Sequence, residues 1–470
     1  MTVSWQIYPE KWALYVSYLV YVCAFLLFIA LWPGEFGLDD AYITLSNART
    51  ILTGGDSVYG ASPLLGATSA VHLAVVTFFG LFLPLPQASV VVSALSVILY
   101  GAGLKALAEA AGCRGWQTAV IVFVGLCVGY QSFQYFNGLE TGLAMASVAW
   151  ALVLADSRYL PLLCGIIPFV RPELAFLAAP LFFRRLYIVR DWQWSIGLAI
   201  AAAFPFALWY FLETGVPFPN TGEAKMAFFA EIHLPLLVRL KLAALAIGGS
   251  LLIVLALGIP KLPRIPAGWC VAVFLVLWLG MAAVTLPSLL THNFYRYLAP
   301  VVPALCYPLA AKIACNDAPS RLIAIISVIW TAVSLTVAVP HISEEAEFYS
   351  TEGRAAAKFV RDRIPAGSTV LIHDAGLVAW FLPPSHLVDV VGLKTPESTA
   401  YHKRYTRHAC QWGKALDGIA RDSGATYLVG LQGIWLWECV AANLKQQGWE
   451  LAIVRAPNGK GYVVYRIIRS

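Results

Sequence analysis

Two adjacent carboxylates, Asp39 and Asp40, sit in the stretch Gly37-Leu38-Asp39-Asp40-Ala41-Tyr42-Ile43, directly after an apolar run and shortly before Arg49. A carboxylate so placed can take a proton from an acceptor hydroxyl. Further acids and bases recur at the ends of later apolar runs. They are Glu140 after Asn137-Gly138-Leu139, Arg171 and Glu173 around Pro172, Asn220 and Lys225 in one polar loop, and His292, Tyr295 and Arg296. Cationic groups of this kind can hold a departing phosphate and neutralise its charge. Ionisable residues at membrane depth cost about 2.5–3.5 kcal/mol each on insertion scales, which makes each a functional suspect. Transfer of a sugar from a polyprenyl phosphate needs both kinds of group beside a bilayer. Each residue also has a plainer use. Asp39 and Asp40 suit a solvated loop pair or a helix cap, and Glu140 suits a helix N-terminus. Arg171 and Glu173 can pair across a bend, and Lys225 can snorkel. Arg296 and His292 can sit at an interface, and Asp374 and Asp389 suit a turn and a strand end.

These groups are separated by segments that must cross or skirt a membrane. Of the 470 residues, 59% are hydrophobic and only 12% charged, about half the charged share of soluble domains. Runs near the ~20 residues that span a bilayer recur through the first 340 residues: Trp12 to Trp32, Gln87 to Leu107, Trp194 to Leu212, Gly268 to Leu289 and Leu322 to Val339. The first is too long for a signal peptide and lacks a small-residue cleavage site, so it reads as a retained helix. The net charge of +6 is too modest to point to nucleic acid; it informs through its distribution.

Two segments decide the topology. Gly66 to Leu83 either spans or lies along the surface. Tyr159 to Arg184 is either one span or a hairpin bent at Arg171-Pro172-Glu173, where Pro172 disfavours helical geometry at Arg171. With a hairpin and a non-spanning Gly66 to Leu83, Lys105, Arg114, Arg158, Arg184, Arg185 and Arg190 all face the cytoplasm. Reversing both choices moves three of them outside, so the positive-inside bias favours the hairpin. The expectation is a polytopic α-helical membrane protein with about eleven spans in a bacterial inner membrane. Its N-terminus is cytoplasmic and the suspect residues share the outer face. From residue 341 to 470 charge rises and short strand and helix patterns alternate, predicting a small extracytoplasmic α/β domain. Cys410 and Cys439, the only cysteines in that region, would meet oxidising conditions outside, and we expect a disulfide between them.

The same residues carry a family resemblance. Asp39-Asp40-Ala41-Tyr42-Ile43 followed by Ala48-Arg49 resembles the first outer loop of the C-type (GT-C) glycosyltransferases. Gly138-Leu139-Glu140, Arg171-Pro172-Glu173, Pro219-Asn220 with Lys225, and Arg296-Tyr297-Leu298 with Pro300 resemble later landmarks of that superfamily, in order. The nearest subset is the bacterial arabinofuranosyltransferases of cell-wall arabinan or pilin, whose outer domain Asp374-Ala375-Gly376 and Val388 to Leu393 also resemble. The resemblance implies an inverting transferase using a polyprenyl-phosphate-linked sugar donor, with Asp39 or Asp40 as base and Asp39 slightly preferred. The remaining residues, Tyr42 and Arg49 included, would bind substrate, and the acceptor would be a glycan or a protein. Two stretches depart from the family pattern and bear on the donor sugar: Ser46-Asn47-Ala48-Arg49 and Gly66-Ala67-Thr68-Ser69-Ala70.

Other functions fit parts of the pattern. A transporter or flippase of a lipid-linked glycan also places charge in the membrane, but such proteins often show repeated halves, and no repeat is visible here. An O-antigen-type ligase would use similar groups, and a scaffold would need none. The carboxylates could bind a divalent cation, though no spacing demands one.

Overall fold

The computed structural model describes residues 32, 34–382 and 385–469. The expected first span lies outside the described residues apart from Trp32. Among the described residues, four helices are long and apolar enough to cross a bilayer: Leu85–Ala110, Trp192–Thr214, Gly268–Thr285 and the rod Ala318–Arg363. A fifth candidate joins Leu236–Gly249 to Ile253–Arg264 through a bend of 101°. Five shorter apolar helices accompany them, including Ala70–Gly80, Thr141–Val153 and Leu160–Val170. A count near eleven requires shorter helices and the segment before residue 32 to cross as well.

Packing explains which faces turn inward. Leu85–Ala110 lies against Thr141–Val153, and small residues let the two approach. A Cβ on Gly103 would stand 2.9 Å from that of Ala149, and one on Gly142 would stand 3.1 Å from that of Ser96. Close contact through small residues replaces the hydrophobic drive that lipid cannot supply. The helix Ala318–Phe348 buries Ser320, Ala324, Ser327, Thr331, Ser334 and Ala338, a stripe of small residues spaced three and four apart. Its opposite face exposes Ile325, Ile329 and Val333, as a lipid-facing surface would. Trp192–Thr214 is still more exposed, with Phe204, Phe211 and Leu212 pointing outward.

The two ambiguous segments are both short. Ser69 caps Ala70–Gly80 by accepting from the His72 amide. The helix has 11 residues and is about 16 Å long, well short of the ~30 Å hydrocarbon core. The segment around Pro172 breaks as expected: Leu160–Val170 ends at Arg171, in extended conformation, and Ala175–Val189 packs back against it.

The boundary read near residue 340 falls inside a helix. Apolar residues stop at Val339, but the helix continues through Pro340 and three glutamates to Phe348, passes one π-turn, and ends at Arg363. The domain beyond has five strands, β1 (Thr369–Ile372), β2 (His386–Asp389), β3 (Tyr427–Gln432), β4 (Trp449–Arg455) and β5 (Gly461–Arg469), in the order β2-β1-β3-β5-β4. The pairs β1–β2 and β1–β3 are parallel, and β5 runs antiparallel to β3 and β4. Two helices were not anticipated. Leu377–Phe381 is too short to show a period, and Pro396–Tyr405 is polar, although Thr395-Pro396-Glu397 is a helix-start signal. Cys410 and Cys439 are bonded, with Cα atoms 5.2 Å apart.

The domain shares a core with the membrane part. Phe228 stacks on Trp412 at 4.2 Å between ring centres, and the Trp412 indole donates to the Phe228 carbonyl at 2.7 Å. Lys394, buried, donates to Asn47 (2.8 Å) and pairs with Asp56 (3.2 Å). These contacts hold the domain down on the helix Thr221–Phe229 and on the helix Asp39–Thr53 with the loop that follows it.

Candidate active site

The helix Asp39–Thr53 begins under the C-terminal domain, and its first two residues face different surroundings. Both oxygens of Asp39 accept backbone N–H groups, from Gly376 at 2.8 Å and Leu377 at 2.7 Å. Asp39 thereby caps the helix Leu377–Phe381, and a Cβ on Gly376 would collide with the Asp39 backbone. Burial, with the charge of Asp374 nearby, holds the Asp39 carboxyl well above its ordinary range against the pull of those two amides. Arg49 grips the other end of the same short helix, donating to the carbonyls of Trp380 (2.9 Å) and Ala379 (3.3 Å). Arg49 is therefore a tether between the two parts and does not reach the other candidates.

Asp40 turns the other way, into a cluster of cations. Arg296 lies 3.0 Å from its Oδ2 and Lys225 lies 3.7 Å away. Asn293 donates to the same oxygen at 3.1 Å. Burial by itself would raise the Asp40 carboxyl, but Lys225 and Arg296 outweigh it and hold the group below the usual carboxylate range. Lys225 Nζ also lies 3.3 Å from His292 Nε2. Burial and the Lys225 charge keep that imidazole well below its ordinary value, so it is neutral.

Tyr297 is the hub of the cations. The Arg171 guanidinium lies 4.4 Å from its ring centre, that of Arg296 5.2 Å, and Lys225 Nζ 5.7 Å. Cations over an aromatic face are attracted by its quadrupole, more strongly when desolvated. Arg171, fully buried, is held by Glu140 at 2.9 Å and Glu173 at 2.5 Å. One of its nitrogens, Nη2, has no partner.

An unusual backbone presents Asn293 and Arg296. Asn293, Phe294 and Tyr295 have φ of 50°, 55° and 62°, a single left-handed turn that costs about 1–2 kcal/mol per residue outside glycine. Gln134 offsets part of that cost, since its amide donates to the carbonyls of Asn293 (3.2 Å) and Phe294 (2.8 Å). Tyr295 stacks on Tyr130 at 5.1 Å.

Two cavities meet at Asp40 and Lys225. A small one is lined by Asp40, Lys225, Arg296, Glu140 and His72, whose buried Nε2 lacks a partner. A larger one, about 530 Å³, opens between Asp40 and the C-terminal domain. Among the described residues no group of three or more His, Cys, Asp or Glu side chains could hold a metal ion.

The sequence-read residues thus divide. Asp40, Glu140, Arg171, Glu173, Lys225, His292 and Arg296 come together, with Tyr295 at the rim. Tyr42 does not join them: it is buried with its hydroxyl on Glu35, which also pairs with Arg354. Asn220 bridges the Gly66 amide and the Leu393 carbonyl, a structural link beside the small cavity. Sequence reasoning passed over Gln134, His72 and Asn293, and named Tyr297 only within a family landmark. His72 is a polar residue within an apolar helix, the kind of signal that could have found it.

Known structures share this architecture. ArnT from Cupriavidus metallidurans bound to undecaprenyl phosphate superposes with a TM-score of 0.56 at 14% identity, covering 95% of this chain and 97% of that one. The Archaeoglobus fulgidus oligosaccharyltransferase in its apo form gives 0.54 at 13% identity, covering 98% and 75%. The same enzyme tethered to an acceptor peptide containing the NVT sequon gives 0.54 at 12% identity, covering 97% and 74%. Residues 341–465 match a family model described as a domain of unknown function (DUF8728). No curated protein matches the chain by sequence. At these identities the likeness is one of fold: the chain is a polytopic helical membrane protein that shares the architecture of these solved structures, with a small α/β domain at its C-terminus.

Proposed function

We propose that this protein transfers a sugar, arabinofuranose in the first instance, from a polyprenyl-phosphate donor to an acceptor hydroxyl on the extracytoplasmic face of a bacterial inner membrane. The observation that carries this reading is the Asp40 carboxylate held against two buried cations, Arg296 and Lys225, where two cavities meet. The acceptor oxygen attacks the anomeric carbon while Asp40 takes its proton. The bond from that carbon to the phosphate oxygen breaks, and the electron pair leaves on the phosphate. One displacement of this kind inverts the anomeric centre. Lys225 and Arg296 neutralise the charge gathering on the leaving group. A phosphate beside these cations also weakens their pull on Asp40 and raises its basicity when the donor is in place. Arg171, whose charge is already matched by Glu140 and Glu173, is a positioning residue behind Tyr297. The fold likeness to ArnT, whose structure holds undecaprenyl phosphate, supports a lipid-phosphate donor. About eleven spans, a cytoplasmic N-terminus and an outer C-terminal domain complete the proposal.

The test is release of undecaprenyl phosphate from undecaprenyl-phosphate arabinofuranose by protein in native membranes. The parent should release it. Lys225→Ala and Arg296→Ala should each weaken binding of undecaprenyl phosphate by about 10- to 100-fold, the worth of a charge-assisted contact. The reading fails if the parent releases no lipid phosphate from pentose or hexose donors. It fails equally if both variants bind the lipid as the parent does.

A further inference from the structure

The loop that carries Lys225 has a second face. It joins Thr214, the end of one candidate span, to Leu236, the start of the bent pair, so it lies where these helices leave the bilayer. Its helix Thr221–Phe229 buries Ala224, Lys225 and Phe228. Phe218, Met226 and Ile232, from the same loop, are exposed.

The part of the C-terminal domain that rests on this loop is basic. From Ser398 to Leu416 the chain has four cations, Lys403, Arg404, Arg407 and Lys414, and no acidic residue. Contacts lay this segment along the helix Thr221–Phe229. Lys403 pairs with Glu223 near the start of that helix. The His402 ring meets that of Phe228 edge-on at 5.0 Å, and the chain comes back to Phe228 at Trp412. Arg404 and Arg407 are both exposed. The Arg404 guanidinium lies 5.1 Å from the ring centre of its neighbour Tyr405, and Arg407 donates to the Thr406 carbonyl at 3.5 Å. Neither has a carboxylate partner among the described residues. A helix C-terminus favours nearby cations, which accounts for Lys403 and Arg404 in the last turn of Pro396–Tyr405. It does not account for Arg407, past the end of that helix, or for the missing acids.

We propose that this face binds anionic phospholipid, with Arg404 and Arg407 on the headgroup phosphates of the leaflet beside the C-terminal domain and Phe218, Met226 and Ile232 among the upper acyl chains. Arginine suits phosphate through its paired donors, and cations beside an anionic leaflet are attracted to it. An acidic segment of a soluble protein would engage the cations and leave the three apolar side chains in water. The face is distinct from the site around Asp40: Lys225 is buried there, whereas Met226, the next residue, is exposed. It is also independent of the transfer reaction. Its effect is to seat the domain on the bilayer surface, which keeps the larger cavity over Asp40 next to the leaflet.

Photocrosslinking of the full-length protein tests it. Benzoylphenylalanine replaces the exposed Phe218, and the protein is placed in nanodiscs of equal phosphatidylglycerol and phosphatidylcholine with a trace of undecaprenyl phosphate. Mass spectrometry of the labelled peptide identifies each adduct. Phosphatidylglycerol adducts should outnumber phosphatidylcholine adducts by about 5- to 30-fold, the worth of one to two surface cations, and the excess should shrink at high salt. In an Arg404→Gln, Arg407→Gln double variant the ratio should fall toward one while phosphatidylcholine adducts persist. Both substitutions are on the surface and break no ion pair, so the variant should fold as the parent does. The proposal is overturned if no lipid is captured, if the parent shows no excess, or if the double variant keeps it. Capture mainly of undecaprenyl phosphate would instead assign the face to the donor lipid. Loss of the adducts on adding soluble polyglutamate would assign it to an acidic polypeptide.

Discussion

Successive residues on a helix point about 100° apart, which is how Asp39 and Asp40 come to meet different partners. Sequence could place a carboxylate pair at the start of this helix, but it could not say which one was already committed. That depended on Gly376 and Leu377, more than 330 positions away in the chain. The preference for Asp39 as base therefore gives way to Asp40 in our proposal. Arg49 and Tyr42 illustrate the same point, since both are satisfied by distant groups that no local pattern announces. Gln134 was likewise passed over. It holds the left-handed turn through two carbonyls, each bond contributing about 1 kcal/mol. Gln134→Leu should relax the turn, withdraw Asn293 and Arg296 from Asp40, and lower turnover roughly tenfold or more. Steady-state transfer compared at equal folded protein checks this, and parent-like turnover would show that the turn needs no such support.

At the level of elements, periodicity located most of the C-terminal domain to within a few residues, because alternating strands and amphipathic helices leave a local record. The helix Leu377–Phe381 left none, yet it is the piece that both Asp39 and Arg49 grip. The helix Trp435–Gln446 is fixed by Cys439 and by Asn443, whose amide donates to the Cys410 carbonyl at 2.9 Å. Replacing both cysteines with serine should destabilise the domain by about 3–4 kcal/mol in the chain-entropy model, read as a lower denaturation midpoint and loss of sensitivity to reductant. The helix Pro396–Tyr405 carries a pH dependence. His402 is buried between Val390 and Thr406, and burial lowers its pKa to about 4 against the pull of the Val390 carbonyl. An unfolded imidazole titrates near 6.5, so between roughly 6.5 and 4 the unfolded chain takes up the extra proton. The stability tied to neutral His402 is complete above that window and falls through it as pH drops, by up to about 3 kcal/mol. Asp389, pushed up to about 6 by burial against several backbone hydrogen bonds, slopes the opposite way between about 4 and 6. The informative comparison is thus the parent against His402→Gln, whose unfolding midpoint should lose less on acidification from pH 7.5 to 4.5. An identical loss in both would contradict the assignment.

Over the whole molecule, composition declared the membrane class and the order of polar landmarks declared the architecture, because both are sums over many residues. The way the two parts meet was not legible. The rod Ala318–Arg363 enters the domain without a linker, and the domain then returns Gly376, Leu393 and Trp437 to the mouth of the membrane part. The result is a carboxylate with cations on one side and a roomy cavity on the other, enclosed by residues from both halves of the chain. The account stands on the assignment of Asp40 as the group that activates the acceptor. The most direct measurement is single-turnover transfer from an undecaprenyl-phosphate sugar by Asp40→Asn, which keeps the shape of the side chain and removes its basicity. A fall of about 100- to 10,000-fold, with undecaprenyl-phosphate binding retained, is the predicted result; transfer at the parent rate would contradict it.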